Sequence, residues 1–240
     1  MPRHSSQQRV RALDFARGLT VISMIAFHAC YDAVYLYGIP LDFFSNESIQ
    51  TIWRASISWT FLFLAGWMTI HSRNNAKRAS LYGAAALAVY LATTVASVDT
   101  PISFGILYCM AASTVLFIMV QPMFRKSPWV FALLSFALFL GSRAVPETLY
   151  EFPGFEWLGF PSQGFSSGDY YPIIPYSFLY LTGAAAGMGW KSSKDSDSTL
   201  YPAWMYAFGC KPIEWIGRHS LVIYLAHQPL LILLFTVAAP

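Results

Sequence analysis

Charge is what this sequence lacks most. Only 11% of its 240 residues are Asp, Glu, Lys or Arg, against about 25% in soluble domains. That is too little to coat a water-exposed surface of this size, and it leaves hardly any surface for a separate soluble domain. Cysteine is scarce as well. Cys30, Cys109 and Cys210 are odd in number and scattered, which gives neither a disulfide framework nor a metal spacing. They read as small apolar packing residues, and no metal is expected. No glycine-rich phosphate loop and no serine-nucleophile elbow occurs. The last apolar stretch, 219–238, contains no lysine, which excludes a seven-helix retinal protein. The net charge of +3 is too small to suggest nucleic acid as a partner. A cleavable signal peptide is not expected, because the apolar run after the basic start is full-length and lacks a small-residue cleavage site.

What is present is hydrocarbon. Hydrophobic residues make up 56% and aromatics 17%, and the mean hydropathy is +0.47. This composition predicts an all-α, multi-pass transmembrane helical bundle, one integral-membrane domain over 1–240. About seven stretches have the roughly 17–22 residues needed to cross about 30 Å of hydrocarbon. They are 18–37, 52–70, 80–98, 103–122, 128–144, 172–190 and 219–238. The Pro-, Gly- and aromatic-rich segment 145–171 reads as a long extracytoplasmic loop. Residues 191–216 read as a cytoplasmic loop with an interfacial piece, in which Tyr201, Trp204 and Tyr206 suit the headgroup layer.

Basic residues alternate with the loops. Arg3, Arg9, Arg11 and Arg17 precede the first span, and Arg73, Lys77 and Arg78 follow the second. Arg125 and Lys126 follow the fourth, and Lys191, Lys194, Lys211 and Arg218 follow the sixth. The other loops are acidic or nearly neutral. The positive-inside bias then puts the N-terminus in the cytoplasm and the C-terminus outside.

The first span carries a polar stripe. Arg17 and His28 are separated by ten residues. Eleven steps of about 100° bring them within about 20° of one face, roughly 16 Å apart along the axis. Asp32 follows His28 at i+4 on nearly the same face. Such groups are expensive at bilayer depth and are usually functional there. An imidazole with a carboxylate one turn away is the pair a general base needs to activate an amine or hydroxyl. The bland alternative is a packing hydrogen bond with a snorkelling arginine, and Asp14 with Arg17 at i, i+3 reads as a membrane-end ion pair.

The last span adds His227, roughly 13 Å beyond Arg218 and thus near the depth of His28. Pro229 removes a backbone donor close to His227 and Gln228. The two histidines either face one cavity or are separately bonded to neighbouring helices. His219 reads as structural. In GDYYPIIPY, Asp169 and Tyr170 either recognise a polar, sugar-like acceptor or simply start a helix. Arg54 stands near the outer end of the second span, where Asp32 or Asp42 is its expected partner.

LDFARGLTVISMIAFHACYD resembles the opening span of membrane acyltransferases that share an arginine, ten residues and a histidine. SSGDYYPIIPYSFLYLTGAAAG and EWIGRHSLVIYLAHQP are similar to the catalytic domain of heparan-alpha-glucosaminide N-acetyltransferase and its bacterial relatives. FLFLAGWM and FGILYCMA fit the same pattern, so the resemblance runs from about Arg11 to Pro229. It implies transfer of an acetyl or other acyl group from cytoplasmic acyl-CoA to an amine or hydroxyl across the membrane. The acceptor would be an extracytoplasmic glycan or glycolipid, and the location a bacterial inner membrane.

On the resemblance, Arg17 and His28 match the functional motif, with Asp32 as partner. His227 or Gln228 would be the oxyanion donor, and Arg17 and Arg218 would hold the phosphates of coenzyme A. Eukaryotic members carry a further histidine in their first extracytoplasmic region. Residues 38–51 contain none, so that role is absent or falls to His28 or His227. The chain also lacks the large lumenal portion of the animal enzymes, so glucosamine of heparan sulfate is not the expected acceptor. Direct transfer and a ping-pong route stay open, as does homo-oligomerisation within the lipid. The rival functions are a small transporter or ion or proton channel, and a non-catalytic membrane scaffold. Absence of inverted repeats weakens transport.

Overall fold

The structure is a computed structural model and describes residues 9–194 and 199–238. Arg3 and the end of the KSSKDSDS loop lie outside the described residues. Helices dominate, and among the described residues no strand forms beyond one isolated bridge between Tyr150 and Ser162. The helices are α1 (Arg11–Tyr31), α2 (Glu47–Trp67), α3 (Asn75–Ala96), α4 (Ile106–Phe124), α5 (Pro128–Gly141), α6 (Ile173–Ser192), α7 (Ala203–Ala207), α8 (Lys211–Arg218) and α9 (Ser220–Ala238). Their ends follow local chemistry. The Asn74 side chain accepts from the Lys77 amide at 2.8 Å and caps α3. Pro opens α5 and lies in the first turn of α8, where a missing N–H costs nothing.

Five helices are long and apolar enough to cross a membrane: Arg11–Leu36 (α1 with its extension), α3, α4, Pro128–Glu147 and α9. The stretches expected at 52–70 and 172–190 also form helices, α2 and α6, of 21 and 20 residues. Both reach about 30 Å at 1.5 Å per residue, but neither holds an 18-residue stretch as apolar as those in the other five. α2 carries Gln50, Arg54, Ser56 and Ser58. α6 is rich in Gly, Ser, Thr and Tyr, and most of its length is buried inside protein, where a lipid-compatible surface is not required.

The chain forms two compact units, Met1–Phe61 with Ser196–Pro240, and Leu62–Asp195. In the second unit, α6 packs on α4 and α5, and α3 pairs with α4. The Tyr180 and Thr114 hydroxyls meet at 2.8 Å in its interior. Residues 142–172 are largely irregular.

In the first unit, α1 packs against α7, α8 and α9. Trp53 of α2 donates to Ser23 at 2.8 Å, and Phe27, Phe44 and Trp53 form an edge-to-face cluster. Tyr201, expected at the headgroup layer, is buried at 1% exposure, whereas Trp204 is 60% exposed. Two glycines let α1 and α8 approach closely. A Cβ on Gly217 would run into the Asp14 carbonyl, and one on Gly18 into the Ile213 carbonyl. Gly83 differs, since its nearest neighbour would be Ala111 Cβ at 3.9 Å.

Replacing glycine by alanine inside a helix gains up to about 1 kcal/mol of propensity. Gly83→Ala is therefore expected to melt at or above the wild-type temperature in detergent. Gly217→Ala must instead wedge α8 from α1 and lose about 1–3 kcal/mol. Equal stability of the two variants would contradict the close approach.

Candidate active site

Most candidate residues of the first unit lie along α1, the turn that extends it, and α9. Arg17 donates to Ser220 Oγ at 2.7 Å. Further along, the rings of His28 and His227 stand with centroids 4.9 Å apart. Then Gln228 Nε2 donates to Asp32 at 2.8 and 3.0 Å. Last, the Tyr37 hydroxyl donates to the Ile232 carbonyl at 3.0 Å and meets Thr236 at 2.8 Å. Residue numbers rise together on both helices, so α1 and α9 run parallel.

The arrangement brings the two histidines together but gives Asp32 a different partner from the one expected. α1 changes at Asp32 into a π-helical stretch, Asp32–Leu36. Such wider turns are frequent at functional sites. Asp32 is 0% exposed, and its carboxylate is taken up by the Gln228 amide. The group beside the His28 ring is His227.

The protonation of His227 follows from its partner. Nδ1 lies on the Tyr224 carbonyl, and a carbonyl only accepts, so Nδ1 carries a hydrogen. In the neutral ring Nε2 then bears the lone pair. Nε2 is buried without a hydrogen-bond partner among the described residues, and so is Gln228 Oε1. In this state neither is a donor for an oxyanion, the role expected of one of them. Nε2 becomes a donor only after it has taken a proton.

At the Arg17 end, cations and carboxylates interleave. Asp14, 4% exposed, bonds Arg9 and stands 3.9 Å from Arg17. Arg11 grips Glu214 of α8 with contacts of 2.8–3.2 Å. That hydrogen bond holds the Glu214 carboxyl below the usual carboxylate range. Arg218 gives Nε to the Glu214 carbonyl at 3.3 Å and is otherwise exposed.

The remaining candidates have other surroundings. Arg54 is exposed and makes no ion pair with a described residue, Asp32 and Asp42 included. In the second unit, Asp169 Oδ2 accepts from the Ile106 amide at 3.3 Å, at the start of α4. The Tyr170 hydroxyl donates to the Glu156 carbonyl at 2.6 Å. Burial, and then the Glu156 carboxylate, push that hydroxyl above its ordinary pKa, so it stays a neutral donor. Asp169 thus ties the loop to the start of α4, and Tyr170 ties the loop to itself. Among the described residues no group of three or more His, Cys, Asp or Glu is placed to hold a metal ion.

The family model described as heparan-alpha-glucosaminide N-acetyltransferase, catalytic, matches residues 9–229. The chain belongs to this family. Neither curated proteins nor solved structures gave a match. Heparan-alpha-glucosaminide N-acetyltransferase catalytic domains are membrane acetyltransferases, and acetyl-CoA is their general donor. With five apolar helices, this member is an integral membrane protein.

Sequence reasoning missed three partners. Ser220 meets Arg17, the Tyr224 carbonyl fixes His227, and Glu214 anchors Arg11. Ser220 and Tyr224 lie within the GRHSLVIYLAHQP motif, which was a signal that could have been followed. Glu214 opens EWIGRHSLVIYLAHQP, but its pairing with Arg11, 203 positions away, left no local trace.

The folded pKa of Glu214 lies below its unfolded value. Its contribution to stability is therefore complete above the unfolded value and is lost as pH falls through the folded one. Glu214→Gln should be less stable than wild type at pH 7 and should lack this share of the acid loss in a pH series of melting curves. An acid limb identical to that of wild type would contradict the assignment.

Proposed function

We propose that this protein is an acyl-CoA-dependent transmembrane acetyltransferase of a bacterial inner membrane. It moves an acetyl group from cytoplasmic acetyl-CoA to an amine or hydroxyl of an extracytoplasmic, sugar-containing acceptor. The observation that carries the reading is the pair His28–His227, 4.9 Å apart and with an unpartnered His227 Nε2, in a chain of an acetyltransferase family.

The orientation rests on the alternating basic loops, with the N-terminus inside and the C-terminus outside. The parallel course of α1 and α9 agrees with an odd number of crossings, and seven is the number proposed, with α2 and α6 included. The Arg17 end then faces the cytoplasm. There the exposed Arg218 and the partly exposed Arg17 hold the donor's phosphates.

In the reaction, His28 takes the proton of the acceptor nitrogen or oxygen. The acceptor attacks the thioester carbonyl, so that a new N–C or O–C bond forms as the C–S bond breaks. The proton passes to the departing thiolate and free coenzyme A leaves. His227 stands beside His28 with a lone pair to share the proton, and once protonated it donates to the developing oxyanion. Loss of general base catalysis lowers rates by about 10²–10⁴-fold. In membranes given labelled acetyl-CoA, His28→Ala should lose transfer by that order, and His227→Ala should show a smaller but clear loss. Transfer by His28→Ala at the wild-type rate would overturn the proposal.

A further inference from the structure

The transfer chemistry above leaves the buried pair Asp32–Gln228 without a task, and the geometry supplies one. Asp32 is fully buried where α1 turns to π winding. It accepts from Gln228 Nε2 at both carboxylate oxygens, 2.8 and 3.0 Å away. The amide thus presents its nitrogen to both carboxylate oxygens and turns its own oxygen away from Asp32. That oxygen, Oε1, is buried and unpartnered. On the preceding residue, His227 Nε2 is in the same condition, because Nδ1 already serves the Tyr224 carbonyl. His227 itself is only 8% exposed.

Two consecutive residues of α9 thus carry buried acceptors with nothing to accept. Such atoms are rare in a folded protein unless a ligand or water meets them. They also select by chemistry, since they welcome N–H and O–H groups and repel carboxylate and phosphate oxygens.

We infer that Asp32 is a positioning residue that acts through Gln228. It locks the amide so that Oε1 receives a hydrogen of the acceptor's amine or hydroxyl next to His227. The inference deepens the acyltransfer reading and rests on it. Without Asp32 the amide is free to flip and offer N–H where the acceptor needs a lone pair.

The test uses the full chain in membranes with labelled acetyl-CoA as donor and methyl glucosaminide as acceptor. Hydrolysis of acetyl-CoA serves as the readout if that glycoside is not modified. Asp32→Asn removes the lock while keeping shape. It should raise the acceptor KM, or lower kcat/KM for hydrolysis, by about tenfold, with the donor KM unchanged. Gln228→Glu should do the same, because it sets two carboxylates face to face. The double variant Asp32→Asn/Gln228→Glu reverses the pair. Its introduced amide donates to the introduced carboxylate, whose second oxygen again faces the site, so most of the loss should be recovered. Melting curves show whether each variant folds. If Asp32→Asn does not fold, the double variant decides.

An unchanged acceptor KM in folded Asp32→Asn would overturn the inference. So would a double variant that is no better than the worse single one, or that fails to fold. Undiminished transfer by His28→Ala, or no reaction of either kind in wild-type membranes, would instead remove the acyltransfer reading on which the inference stands.

Discussion

A polar side chain within hydrocarbon has no water to bond and must find its partner inside the protein. In the first unit that constraint ties α1 to α9. Arg17 with Ser220, His28 with His227, Asp32 with Gln228 and Tyr37 with Ile232 and Thr236 succeed one another along two parallel helices. The close approach of α1 and α8 at Gly18 and Gly217 holds the base of this pair, and the Arg11–Glu214 bridge closes it. The proposed chemistry depends on these contacts, because a histidine pair can share a proton only while both helices keep their register.

Polar groups are distributed unevenly along the pair. At one end each carboxylate has at least one arginine, which neutralises charge where the chain leaves the apolar region. Midway, the histidines and Gln228 leave two lone pairs unmet. Satisfied polar groups hold the helices together, and the unsatisfied ones are those proposed to meet a substrate. The second unit shows the first kind of use at Asp169 and Tyr170, whose bonds to the Ile106 amide and the Glu156 carbonyl hold the loop.

How much of this could be read beforehand depended on distance along the chain. The common face of Arg17 and His28 follows from helical periodicity alone. The similar depth of His28 and His227 followed from counting along two spans that start from the same side, but counting left open whether the rings meet, and the structure sets their centroids 4.9 Å apart. The partner of Asp32 was misjudged for a physical reason. An i+4 spacing shows that two residues share a face, but not which of two neighbours a carboxylate will bond. Gln228, 196 positions away, offers N–H donors to both oxygens, whereas a neutral imidazole has one N–H to give. The bond of Asp169 to the start of α4, 63 positions earlier, likewise left no trace in its local spacing. α2 and α6 were identified as helices of membrane length, but that most of α6 is buried inside protein shows only in the structure.

The most direct measurement is a structure with coenzyme A bound. The account predicts the thiol sulfur between α1 and α9, within about 4–5 Å of the His28 or His227 ring, close enough for proton exchange directly or through one water. It also predicts the phosphates at the Arg17 and Arg218 end. A sulfur bound away from both histidines, with the α1–α9 contacts intact, would contradict it.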